Sequence, residues 1–207
     1  MCLEVHSLLD QQNLTERIAQ MSKFPSLPKN PHLMDAMAAH SEGFAHLCDY
    51  HDVILRGPSP LTVADRELIA AYVSGLNQCN FCHNSHRAFA ENYGIDPDIF
   101  ENLMVDPASV GIDVKLLPIM AYAKKLTLAP ATVTEADAAA VYTAGWDEKA
   151  LFHAIAVTGI FNLMNRIVEG MGVVPNPAML EKSKQRMAAN LDNPTPYGDF
   201  SRMLKTL

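Results

Sequence analysis

"LTVADRELIAAYVSGLNQCNFCHNSH" runs from Leu61 to His86 and holds two helices and a cysteine pair. Thr62 precedes an apolar run and Asp65 follows it at the spacing of a capping box, so a helix starts there and runs to about Gly75. Leu68, Ile69 and Tyr72 occupy one side of that helix. Val63, Ala64, Ala70, Ala71 and Ser74 surround Glu67 on the other. A helix apolar on nearly every side belongs in a core. A second helix is expected from about Asn77 to "NYGI", where Gly94 suits the left-handed position after a helix end.

Working outward, the punctuation marks helices throughout, and no convincing run alternates as a strand does. Pro-rich "FPSLPKNP" (24–31) sets off the N-terminal segment. Ser41 is expected to cap a helix through about Leu55, which "GPSP" (57–60) ends. A short helix follows Asp96-Pro97 and stops near Asp106-Pro107. Asp113 to Leu126 reads as helix, with Pro118 either kinking it or marking its first turn. Thr134 begins a helix broken at Gly145, and Asp147 caps a long one through Val168. After "NPAML" comes a polar C-terminal helix or tail, with "DNPTPYGDF" as a loose end. "LTVADRELIAAYVSGL" and "VTEADAAAVYTAGW" each read as a capped helix ending at Gly with another helix behind it, the mark of a duplicated all-α unit.

The chain of 207 residues is long enough for a real core, and 49% apolar against 19% charged residues argues against disorder. A formal charge of −7 without a Lys/Arg-rich run speaks against nucleic acid as a partner. The start lacks a basic segment followed by a long apolar run, and no uninterrupted apolar stretch approaches the ~18 residues of a membrane span. The expectation is a cytoplasmic protein with no membrane partner, whose thiols stay reduced unless they cycle. Cys2 and Cys48 stand alone; Cys79 and Cys82 form a motif.

Cys79-x-x-Cys82 can be a redox dithiol. With His83 it has the spacing of covalent haem attachment, and with His86 it could contribute to a zinc site. Haem attachment belongs to oxidising, exported compartments, and one helix does not easily close four ligands around zinc. The dithiol is the leading reading. On a helix over 77–93 the cysteines are i,i+3 neighbours, and each has a histidine one turn downstream: His83 after Cys79, His86 after Cys82. A first-turn position and an imidazole both favour the thiolate, the nucleophilic form. Glu67, on a buried face, needs a partner or a raised pKa, or pairs with an arginine or reaches solvent as Asp65 and Arg66 are expected to.

Glu67, Cys79, Cys82 and His86, with the flanks "NPHLMDAMAAHSE" and "FNLMNRIVEGMGV", resemble the AhpD-like fold of the carboxymuconolactone decarboxylase superfamily, and most of all its peroxidase-related branch. The resemblance spans about Asn30 to Val174. It implies an all-α AhpD-like helical bundle with a duplicated helical unit, divided into an N-terminal extension (1–30), a core (31–175) and a C-terminal helix or tail (176–207) packed on the core or on a neighbouring subunit. It also implies a homo-oligomer, a trimer or hexamer with a dimer possible, and antioxidant chemistry needing no cofactor and no metal.

By position, Cys82 resembles the peroxidatic thiol, Cys79 the resolving thiol, His86 the base and Glu67 the carboxylate that orients it. The implied partners are a hydroperoxide substrate and a dithiol reductant of lipoyl or thioredoxin-like type. The residues by themselves also permit Cys79 as attacker with His83 as its base. A non-catalytic redox-sensing dithiol and a lactone-type decarboxylase are the alternatives. The best-known AhpD members carry a histidine between the cysteines where this chain has Phe81. That departure bears on the specific AhpD role of reducing a partner peroxiredoxin through a lipoylated adaptor. His83 is expected on the helix surface or at a subunit contact. Asn162 and Asn165 read as amides at helix crossings or near the site, His153 as a core or interface residue, and Met120, Met164 and Met171 as packing. His32, His40, His46 and His51 are too scattered to mark a site.

Overall fold

The computed structural model describes residues 23–204; Cys2, most of the expected extension and residues 205–207 lie outside it. The described residues form ten α-helices and three short 3-10 turns, with no strand. The first five are α1 (Leu33–Ala39), α2 (Ser41–Arg56), α3 (Val63–Leu76), α4 (Asn80–Asn92) and α5 (Ile99–Asn102). The other five are α6 (Leu117–Leu128), α7 (Glu135–Thr143), α8 (Glu148–Met171), α9 (Pro177–Ala188) and α10 (Pro196–Leu204). The all-α expectation holds.

Helix α3 is the axis. Nine consecutive residues, Arg66 to Ser74, are buried, as its all-round apolar pattern requires. It forms a hairpin with α4 and packs on α8 and α6; α9 lies along α4, and α10 lies against α2. By length and composition α8 could cross a membrane, but half of that stretch is buried, and Val157, Phe161 and Val168 pack in the core.

The start signals hold where a polar side chain meets a free backbone donor. Thr62 accepts from the Asp65 amide at 3.1 Å while Asp65 accepts from the Thr62 amide at 2.8 Å. Thr134 and Asp137 repeat this box at α7, so both halves of the internal echo start alike. Asp147 caps α8, which runs three residues past the expected Val168. Gly94 is left-handed (φ +92°) just beyond α4, and Pro118 lies in the first turn of α6.

Three expectations need correction. Ser41 is inside α2, because α1 directly precedes it and His40 takes the N-cap position. The second helix starts at Asn80 and not at Asn77, because a tight turn intervenes. "DNPTPYGDF" is not a loose end: it leads into α10, which is tied to α2 through Asp52.

Arg66 departs from expectation too. It is buried rather than solvated, and its guanidinium donates to the carbonyls of Ile54 and Gly57 at 2.9 Å each. Those carbonyls lie at the C-terminal end of α2, where helical partners run out and a cation is favoured. Burial, then the nearby Arg56 charge, lowers the Arg66 pKa to about 10, so it remains charged at neutral pH. Arg66→Met leaves both carbonyls unpaired and is expected to lower unfolding free energy by about 2–3 kcal/mol, read from urea denaturation.

Candidate active site

The turn between α3 and α4 is short and strained. Gln78 has φ +58°, the one non-glycine residue with positive φ among the described residues. The Cys79 amide donates to Ser74 O at 3.0 Å, and Cys79 becomes the N-cap residue of α4. Three amide side chains hold this turn against α8. Asn77 donates to Asn162 and Asn165 at 3.2 and 2.9 Å, and Asn165 donates to the Ser74 hydroxyl at 3.0 Å. The two asparagines of α8 are thus crossing amides beside the cysteines.

The turn brings the Cys79 and Cys82 sulfurs to 2.7 Å, sharing a hydrogen bond. Both residues are buried: Cys79 is 0% exposed and Cys82 5%. That burial reverses one expectation. Burial first, then the bond to Cys79, pushes the Cys82 thiol well above its ordinary value, and a hydrogen bond with Asn165 opposes this only in part. Resting Cys82 is a thiol, because desolvating a thiolate between packed helices outweighs the pull of a helix N-terminus.

Glu67 is the polar centre. Its carboxylate, 0% exposed, meets His86 Nδ1 at 2.6 Å, Arg56 Nη2 at 2.6 Å and the Tyr197 hydroxyl at 3.2 Å. Burial pushes its pKa up, but the Arg56 guanidinium, followed by His86, more than reverses this and holds it at about 2. An ionised carboxylate only accepts, so His86 Nδ1 carries the proton and Nε2 is left as the ring's basic nitrogen. Arg56 lies 5.2 and 5.3 Å from the Tyr93 and Tyr197 ring centres. Burial, then the Glu67 charge, pushes the Tyr197 hydroxyl well up, so it stays a donor.

Tyr197 comes from α10, which Asp52 holds by accepting from the Tyr197 and Gly198 amides at 2.9 and 2.7 Å. A Cβ on Gly198 would lie 2.9 Å from that carboxylate, so glycine permits the approach. A cavity of about 840 Å³, open solvent at its mouth included, lies over Cys82 and His86. Met34, Met37, Phe44, Phe89, Phe161 and Met164 make its walls largely apolar.

The structure brings Glu67, Cys79, Cys82 and His86 together. His83 is half-buried, and its Nδ1 meets Ala71 O at 2.8 Å, across the hairpin. His32 and His51 also line the cavity, against the scattered reading. His51 donates from Nδ1 to Leu47 O at 2.7 Å, with its ring 5.6 Å from Phe161. The sequence reading did not identify Arg56, Asp52, His51 or Tyr197. Only Arg56 had a signal, the buried carboxylate's need for a cation. Among the described residues no group of three or more His, Cys, Asp or Glu side chains is placed to hold a metal ion.

The sequence matches the family model of the carboxymuconolactone decarboxylase family over residues 41–115. No curated protein matches it. Among the solved structures that resemble it are two peroxidase-related proteins. An uncharacterized peroxidase-related protein from Silicibacter sp. TM1040 is 27% identical, with a TM-score of 0.66 over 70% of this chain and 76% of that one. An uncharacterized peroxidase-related protein from Ralstonia eutropha JMP134, with an alkylhydroperoxidase AhpD core, is 26% identical, with a TM-score of 0.67 over 72% of this chain and 79% of that one.

Burial, first of all, lowers the His51 pKa to about 4, below its ordinary 6.5. The unfolded chain therefore takes up a proton on His51 between these values while the folded chain does not. His51 is expected to reduce stability by about 3 kcal/mol as pH falls from 6.5 to 4. Glu67, whose pKa is depressed, acts lower: its contribution is full above about 4.5 and is lost as pH falls through about 2. The pH profile of unfolding for wild type minus His51→Gln isolates the first window. Asp52→Ala frees the start of α10; the Tyr197 and Gly198 amides should exchange hydrogen at least about tenfold faster at a stability cost of about 1–3 kcal/mol.

Proposed function

We propose that this chain, which belongs to the AhpD-like/carboxymuconolactone decarboxylase superfamily, is a thiol-dependent hydroperoxide reductase. The observation that carries the reading is the convergence of a close dithiol, an imidazole oriented by an ionised carboxylate, and an apolar cavity lined by Cys82 and His86. Nucleophile, base and orienting group is the arrangement covalent catalysis needs.

Cys82 is the attacking thiol because it lines the cavity, whereas Cys79 is fully buried behind it. The Cys82 thiol bonds to Cys79 and Asn165 rather than to His86, so its proton reaches His86 Nε2 through the peroxide or a water in the cavity. The sulfur attacks the terminal peroxide oxygen and the O–O bond breaks. Cys82 becomes a sulfenic acid, oxidised by two electrons. The alkoxide leaves as an alcohol, taking the proton back from His86. Glu67 stabilises the imidazolium between these transfers, with Arg56 and Tyr197 positioning its carboxylate.

The Cys79 thiol then displaces hydroxide from the sulfenic acid, forming the disulfide and releasing water. On this reading the enzyme works in the cytoplasm as a homo-oligomer. An external dithiol of lipoyl or thioredoxin type returns the disulfide to two thiols and is itself oxidised.

One equivalent of hydroperoxide is expected to remove two of the chain's four thiols, leaving one Cys79–Cys82 disulfide, by thiol titration and peptide mapping. Steady-state reduction with dihydrolipoamide or thioredoxin should fall by at least about 10³-fold in Cys82→Ser. Full turnover by Cys82→Ser would sink the assignment. Oxidation that alters assembly without turnover would make the pair a redox switch. Lactone decarboxylation surviving in Cys79→Ser would mark a decarboxylase.

A further inference from the structure

We propose that the cavity over Cys82 is built for an amphipathic carboxylate, a ligand whose apolar body lies among the methionine and phenylalanine walls and whose carboxylate pairs with Arg186. For the reactive group, a hydroperoxide at the Cys82 end, this rests on the peroxidase reading; for binding it does not.

Arg186 lines the cavity from α9. Its guanidinium lies 4.5 Å from the centre of the Phe200 ring and donates one long bond, 3.5 Å, to Pro196 O. An arginine has five donors, so most of its capacity is unmet there. The neighbouring cations are neutralised: Arg56 by Glu67, and Lys184 by Glu91 at 2.5 Å. Arg186 has no carboxylate partner among the described residues, and burial, only partly offset by Tyr197, pushes its pKa down. A half-buried cation beside an apolar cavity, without a counter-ion, suits a planar anion that its fork can hold with two bonds.

The spacing sets the ligand's length. Along α4 the cavity is lined by Cys82, His86 and Phe89, seven residues that rise about 10 Å. Helix α9 runs in the same direction beside α4. Leu180 and Ser183 line a second, smaller cavity with Phe81 and Ser85, while Lys184 meets Glu91 and its carbonyl accepts from Asn92. Arg186 therefore stands at the Phe89 end, about two helical turns from Cys82. The ligand class is an apolar monocarboxylic acid whose reactive group lies roughly 10 Å from its carboxylate, as in a fatty-acid hydroperoxide. A small unsubstituted peroxide would use neither Arg186 nor the length of the cavity.

Binding is tested on the full, reduced chain with probes that carry no peroxide: decanoate and decan-1-ol, by titration calorimetry. Decanoate should bind at least about tenfold more tightly than decan-1-ol, and Arg186→Gln should bring this ratio near one while Arg186→Lys restores part of it. Equal affinity of wild type for the two probes, or a ratio unchanged in Arg186→Gln, overturns the proposal. The wild-type comparison decides even if Arg186→Gln does not fold. In a second arm, linoleic acid hydroperoxide should show a kcat/KM at least about tenfold above its methyl ester. Decanoate binding without turnover would defeat the peroxidase reading and leave the anion site standing; turnover that favours the ester would do the reverse.

Discussion

The buried Glu67 carboxylate is the constraint on which the rest of the site depends. A charge at that depth is tolerated only when opposite charge and hydrogen bonds surround it. Arg56 comes from α2, His86 from α4 and Tyr197 from α10, so one side chain on α3 binds three other helices to the axis. The same contacts define the chemistry. Arg56 keeps the carboxylate ionised, and the ionised carboxylate sets the tautomer of His86. Structure and proton inventory are therefore one problem here, solved by one ion cluster.

Around that cluster the thiols are arranged for protection rather than display. Both sulfurs are buried, and resting Cys82 holds its proton. The polar crossing amides of α8 matter for the same reason. Asn162 and Asn165 hold the strained turn through the Asn77 side chain and the Ser74 hydroxyl, and Asn165 also reaches the Cys82 thiol. The same packing that raises the Cys82 thiol also gives the cavity its apolar walls.

Legibility from sequence divides along the length of the interaction. The Thr62–Asp65 box, the Thr134 helix start, Gly94 and the all-round apolar α3 were readable because each is decided within about one or two turns of chain. The Cys82–His86 spacing was readable on the same ground. The start of α4 was misplaced because the amides that hold its turn lie on α8, more than eighty residues away. Arg66 looked solvated because the carbonyls it serves belong to a different helix. The partner of His83 was not readable, because nothing nearby in sequence shows that Ala71 O faces it across the hairpin.

An all-α chain, its central helix pair, and a dithiol with a histidine one turn on and a carboxylate on a buried face can all be read from the residues in order. These follow from helical periodicity and local capping, which neighbouring residues carry among themselves. Packing was needed to show what Glu67 pairs with, that His51 joins the cavity, that Tyr197 and Phe200 of the C-terminal stretch line it, and that burial raises the Cys82 thiol. Each of these depends on which surfaces exclude water and which distant charges meet there, and desolvation and Coulomb energy are properties of the packed molecule, not of any stretch of its chain.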